Sequence, residues 1–433
     1  MSEHADDAGT PAIVTHHTRI GVRHVGRRVV AERLLARLLD HPYPVLAPHG
    51  GRLIVAADPV EVVRGPDVWD ALAMPRVDGA RPPAGGWIGL LGYDLGGTVE
   101  SLPVPLPDTG GPPVAVMGRY ETVAAIDARG SCEILAAGSP RAAAQLARLA
   151  ERCEDPIVIR GGDFGGPVAS SLPSCAYQER VQRIREHIRA GDCYQVNLAQ
   201  RLRAPWSGSP LEFAARLWAA AGPSSHRGFM GLPEGTLVSA SPERLVAVHR
   251  GVAYSEPIKG TAPAGAAGML AASPKDRAEH VMIVDLVRND LGRVARAGGV
   301  SVPDLCVPLR TAYVEHLVSR IRAELAPGVT PREVLRAMFP GGSVTGCPKV
   351  RAMEVIRDLE PVSRGPAYGS LVVVGPDHSI ESSVLIRTAW LARGEARYWS
   401  GGAVTWDSDP VAEQREAMDK AAPFERAIVG GVV

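Results

Sequence analysis

The sequence predicts an α+β fold, on three observations. Apolar, β-branched runs broken by Gly and Pro recur at 44–64, 114–136 and 236–259, and read as antiparallel strands. Helices with start or stop signals stand apart from those runs, over 174–191, 273–296 and about 409–428. With 433 residues, 45% of them apolar and 22% charged, the chain has a globular composition and can bury a large core.

Taken in order, residues 1 to about 16 are polar, and disorder is expected there. Val30, Leu34, Leu35 and Leu38 recur at helical spacing and predict a short amphipathic helix from Val29 to Leu39. Between the first two strand regions, the glycine-rich stretch from Gly85 to Asp94 reads as a strand that packs closely against other backbone. Residues 138–152 form an Ala-rich helix. The stretch 155–173, with several Gly, Pro and Ser, is the best linker candidate. It divides an amino-terminal segment, 17–155, from a larger domain, 174–428.

Ser174 can cap the next helix, with Tyr177, Val181, Ile184 and Ile188 on one face and Gly191 at its end. A strand over Tyr194–Leu202, a helix near 210–221 and strands across 236–259 follow, with a turn at Arg250-Gly251. Ser273 as N-cap and Pro274 at the first helical position open a helix with Glu279, Ile283, Leu286 and Asp290 along one side. A last helix begins near Asp409-Pro410 and places Glu413, Glu416 and Lys420 on one face. By itself the Glu416–Lys420 spacing describes a surface ion pair contributing tenths of a kcal/mol.

Lys+Arg and Asp+Glu both total 47, so the chain lacks the basic footprint of a nucleic-acid or anionic-membrane binder. No apolar run approaches bilayer-spanning length. The acidic start Met1-Ser2-Glu3-His4-Ala5-Asp6-Asp7 is unlike a secretory or transit peptide. Six scattered cysteines without a CxxC pair fit structural thiols in a reducing cytoplasm.

Two stretches carry the chemistry. In Pro257-Ile258-Lys259-Gly260-Thr261, Lys259 is either a solvated lysine at a turn or an amine held where it can attack a substrate. The run from Phe339 to Lys349 is a Gly-rich loop opening a helix, which suits an anion. It departs from the phosphate-loop pattern, because Gly346 is followed by Cys347 and Pro348 in place of Lys and Ser/Thr. A carboxylate ligand or a structural cap fits better.

Side by side, several stretches resemble the chorismate-utilising enzymes, which include the component I subunits of anthranilate and aminodeoxychorismate synthases and the isochorismate and salicylate synthases. They are Tyr194–Arg201, Ser241-Pro242-Glu243-Arg244, Pro257–Thr261, Ala278-Glu279-His280, Asp285–Asp290, Glu315-His316-Leu317, the 339–351 loop, Ile386-Arg387-Thr388 and the closing helix. They stand in family order across about 174–428, and Gly92-Tyr93-Asp94 matches the amino-terminal segment.

The resemblance implies two large antiparallel sheets packed as a β-sandwich, flanked by helices, with the active site in a cleft. It implies Mg²⁺ as cofactor, with Glu279 and Glu416 as ligands and Asp276 and Glu413 in support. Arg387, helped by Tyr368, would grip the pyruvyl carboxylate. Lys420 would add charge near the metal-bound carboxylate. Thr345 and the backbone of Gly401 and Gly402 would supply hydrogen bonds, and His316 would stand beside the ring. Thr261 belongs to the same substrate-binding set.

Two positions discriminate among family members. Gln195 stands where the hydrating enzymes resemble one another in carrying a water-activating lysine. Lys259 stands where anthranilate synthases carry a small residue, and this is the aminodeoxychorismate synthase pattern. The implied reaction replaces the C4 hydroxyl of chorismate by ammonia, with Lys259 as covalent nucleophile and Glu243 as general acid. The product would feed 4-aminobenzoate for folate or a secondary metabolite. The chain is filled by the synthase pattern, so the ammonia is expected from a separate glutamine amidotransferase subunit. Amination at C2 is the alternative, and a catalytically silent homologue is the alternative of another class. Glu381, Ala403 and Glu256 depart from the usual family residues.

Overall fold

The computed structural model describes residues 21–26, 28–100, 102, 111–153, 166–263, 273–310 and 314–429. The side chains of 260–263, 275–276, 309–310 and 314–316 lie outside that description, as do the polar amino-terminal stretch and residues 154–165 of the linker.

Among the described residues, one sheet has twelve strands and the other ten, with every pairing antiparallel. Strand Val45–His49 shows why they form a sandwich. Its Val45 and Ala47 join the core between the sheets, while Leu46 points the other way into a helix-covered layer. That outer layer holds Leu34, Leu35, Phe213, Leu217 and Phe424 from three helices. The α+β sandwich expectation therefore holds.

Both sheets mix strands from the two halves of the chain. Val45–His49 pairs with His226–Leu232 in one, and Gly86–Leu91 pairs with Ser370–Val374 in the other. Close packing at Gly85–Asp94 is real: a Cβ on Gly86 would overlap the carbonyl oxygen of Val374. Within the expected linker, Ala169–Ser170 forms a short strand against Leu202 and Arg203.

Two local expectations are corrected. The first helix is shorter than expected, Ala31–Ala36, and Val30 sits at its N-cap, 41% exposed, where its side chain precedes the buried face. Pro173, not Ser174, occupies the N-cap of the Ser174–Arg189 helix, and the Ser174 hydroxyl instead accepts from Gln414 Nε2. The helices that matter for the site run Pro274–Gly292 and Pro410–Val429. Asp409 Oδ1 accepts from the N–H groups of Val411 and Ala412, capping the second.

Candidate active site

Lys259 lies on the Ile258–Pro263 strand, paired in register with Leu317. Its side chain is 22% exposed, and Nζ donates to Glu279 Oε2 at 3.3 Å. The amine thus faces the Pro274–Gly292 helix, not open solvent.

Glu279 Oε1 accepts from Thr405 Oγ1 at 3.3 Å, just beyond the Glu395–Val404 strand. In the same turn Ser408 Oγ donates to Glu413 Oε1 at 2.6 Å. Thr405 and Ser408 therefore tie one carboxylate from each helix to a single turn. This pairing was not legible in the sequence, because hydroxyls in turns are common and their partners lie far off in the chain.

A Cβ placed on Gly402 would sit 3.3 Å from Glu413 Oε2, 3.7 Å from Lys420 Nζ and 3.9 Å from Glu416 Oε1. Glycine keeps open a space that these three groups share. Lys420 Nζ pairs with Glu416 Oε1 at 2.7 Å, both about half exposed, and donates to Gly401 O at 3.3 Å. Glu279, Glu413 and Glu416 are hard oxygen donors on two helices, the kind Mg²⁺ takes while keeping part of its water shell. Among the described residues, no group of three or more His, Cys, Asp or Glu side chains is placed to hold a metal ion. The Asp276 side chain lies outside the description.

Glu243 is buried at the end of the Gly235–Ser241 strand. Its N–H donates to Ser241 Oγ at 3.2 Å, and Ser343 Oγ from the Gly-rich loop donates to its Oε1 at 2.7 Å. Burial pushes the carboxyl up to about 7, against the pull of the Ser343 hydrogen bond and the Lys259 charge. A folded-state value above the unfolded one means that ionising Glu243 opposes folding. Stability should therefore fall as pH rises from 4.5 to about 7 and level off above, by about 3 kcal/mol. Glu243→Gln should raise Tm near pH 8 and give no such gain near pH 4, as thermal melts across that range would show. An equal gain at both ends would contradict the assignment.

His280 is fully buried, with Nε2 2.7 Å from Ser319 Oγ. Burial and then the Lys259 charge push it down to about 4, so it stays neutral beside the lysine. Gln195 is also buried, and its Oε1 has no hydrogen-bond partner among the described residues. Thr345 Oγ1 donates to Gly341 O at 3.0 Å and Gly342 O at 3.3 Å, so this hydroxyl shapes the loop itself.

Arg387 sits between two strands with φ of +50°. Burial pushes the Tyr398 phenol up and the Arg387 charge opposes it. Tyr398 OH in turn donates to Lys420 O at 3.2 Å. The Tyr368 ring packs 4.6 Å from the Arg364 guanidinium. Thr261 and His316 are placed by backbone alone, His316 one residue before the partner of Lys259, and their side chains lie outside the description.

Arg364 and Glu360 were not anticipated as a buried pair. Arg364 Nη2 donates to Glu360 Oε1 at 2.6 Å, and Nη1 to Val344 O at 2.8 Å in the Gly-rich loop. Lys349, at the end of the loop, makes a buried pair with Asp290 at 2.7 Å. The departures Glu256 and Glu381 share one partner, Arg244, each at 2.7 Å.

An amine, a buried carboxyl and carboxylates from two helices held by one turn are groups suited to nucleophilic and acid–base chemistry. The chorismate binding enzyme family matches residues 50–426, and the chain belongs to that family of chorismate-utilising enzymes. It is 37% identical over 380 residues to aminodeoxychorismate synthase component 1 of Klebsiella aerogenes, covering 84% of this chain and 82% of the relative. It is 34% identical over 415 residues to anthranilate synthase component 1 of Streptomyces coelicolor, covering 89% and 79%. The solved anthranilate synthase component I of Streptococcus pneumoniae TIGR4 superposes with a TM-score of 0.75 at 26% identity, covering 97% of this chain and 94% of that one.

Proposed function

We propose that the chain is a synthase component that converts chorismate and ammonia into 4-amino-4-deoxychorismate, with Lys259 as nucleophile. The observation that carries this reading is Lys259 itself, 22% exposed and 3.3 Å from Glu279. Its amine adds at C2 of the ring, the double bonds shift, and the C4–O bond breaks. Glu243, poised near neutrality by burial, gives its proton to the departing hydroxyl, which leaves as water. Ammonia then adds at C4, the double bonds shift back, the C2–N bond breaks to release Lys259 as the neutral amine, and the new C4 ammonium returns a proton to the Glu243 carboxylate. The net change is hydroxyl for amine at C4.

Gln195 Oε1, a buried acceptor, suits an incoming N–H donor and cannot act as a base for water. Arg387 would hold the pyruvyl carboxylate in a fork, with Tyr368 beside it. Glu279 and Glu416, supported by Glu413 and Asp276, would hold Mg²⁺, which would neutralise a substrate carboxylate facing those side chains. A separate glutamine amidotransferase subunit would supply the ammonia.

The near-equal similarity to anthranilate synthase component 1 favours a second reading, amination at C2. Purified protein given chorismate, ammonium and Mg²⁺ separates them. The C4 reading expects 4-aminobenzoate only after a lyase is added. Fluorescent anthranilate as the main product would overturn it.

A further inference from the structure

We infer that Ser343 is the positioning residue of Glu243: its hydroxyl fixes Oε1 and leaves Oε2 as the atom that carries and delivers the proton. This rests on the proposed role of Glu243 as general acid.

The geometry supports a fixed contact. Ser343 Oγ donates its one hydrogen to Glu243 Oε1 at 2.7 Å, across a hundred residues of sequence. The Glu243 main chain is held on both sides, by Ser241 Oγ at its N–H and by Val384 N–H at its carbonyl. The loop that presents Ser343 is equally held. Thr345 Oγ1 grips the carbonyls of Gly341 and Gly342, and Arg364 Nη1 grips that of Val344.

Packing confines the loop further. The Cβ position of Gly341 lies 3.1 Å from Leu245 Cδ1, on the strand after Glu243, and that of Gly342 abuts Leu286 on the helix that carries Glu279. Ser343 therefore stands clamped between the strand that follows Glu243 and the acidic helix. A donor fixed by its surroundings aims a carboxyl more tightly than a mobile one. With Oε1 occupied as an acceptor, the proton of the neutral acid resides on Oε2.

Among the described residues, Lys259 is the charged group whose field reaches Glu243. Both it and Ser343 favour the carboxylate against burial. Removing the hydroxyl should keep Glu243 protonated to higher pH and let the carboxyl turn away from the substrate.

The test compares Ser343→Thr with Ser343→Val, which match in shape and differ in the hydroxyl, in full-length protein with chorismate, ammonium and Mg²⁺. Ser343→Thr should keep the wild-type pH profile of kcat. Ser343→Val should shift the alkaline limb up by about one pH unit or more. It should also lower kcat about tenfold at the optimum, with KM for chorismate little changed. The window over which stability falls with pH should move up in the same variant.

Glu243→Gln is measured in parallel. If it keeps the wild-type rate, the general-acid role fails and this inference falls with it. If Glu243→Gln is inactive while Val and Thr variants share one pH profile, the acid role stands and the Ser343 inference is overturned.

Discussion

Lys259→Ala should lose at least about a thousandfold in the rate of C4 amination, roughly 4 kcal/mol of barrier. Direct displacement of a ring hydroxyl by ammonia is hard, and the amine splits it into two additions of lower barrier. The strand holds Lys259 opposite Leu317, and Glu279 fixes Nζ at 3.3 Å. Lys259→Arg should fare no better, because a guanidinium stays charged and cannot attack. Chorismate binding, followed by equilibrium dialysis, should survive in both variants, since Arg387 and the acidic helices remain. A Lys259→Ala enzyme that forms 4-amino-4-deoxychorismate at the wild-type rate would remove the nucleophile from the mechanism.

Arg364→Met should destabilise the protein by about 3–5 kcal/mol, because it leaves Glu360 as an uncompensated buried carboxylate. The guanidinium is 2% exposed and lies between the Tyr93 and Tyr368 rings, 4.5 and 4.6 Å away. It bonds to Glu360, to Val344 O and to Asn197 O, and Glu360 Oε1 also accepts from Ala199 N–H at 2.8 Å. One side chain thus ties a helix end, the Gly-rich loop and the Gln195–Pro205 strand together. Adding Glu360→Met to Arg364→Met should recover part of the loss, as it removes the stranded charge. Urea denaturation measures both, and a single variant within about 1 kcal/mol of wild type would show that the pair is not the strut described.

Local pattern revealed most of the elements, and distance in sequence hid most of their partners. The helix over Pro274–Gly292 was legible because Ser273 and Pro274 mark its start and its apolar residues keep helical spacing. The hairpin turn at Arg250-Gly251 was legible too, and both residues take positive φ. The interleaving of amino-terminal strands into both sheets was not, since nothing in Val45–His49 names His226–Leu232 as its neighbour. Glu360 and Arg364, four apart, carry the spacing of an exposed helix pair, yet the loop and strand packed over them leave the two side chains only 4% and 2% exposed.

The candidate site divides the same way. Lys259 was legible as a lone lysine between an apolar residue and a glycine, and the roles of Glu279, Glu413 and Glu416 came from the resemblance to the family. The site hydroxyls, Thr405, Ser408 and Ser343, were not legible, because a serine or threonine has no pattern of its own and its role is set by what the fold brings within 3.5 Å.

The most direct measurement is the intact mass of the protein after mixing with chorismate and Mg²⁺ in the absence of ammonia, followed by peptide mapping. The expected result is an adduct equal to chorismate less one water, on the peptide bearing Lys259, that disappears when ammonium is added and is absent from Lys259→Ala. Steady production of 4-amino-4-deoxychorismate with no such adduct, or with the adduct on another residue, would contradict covalent catalysis by this lysine.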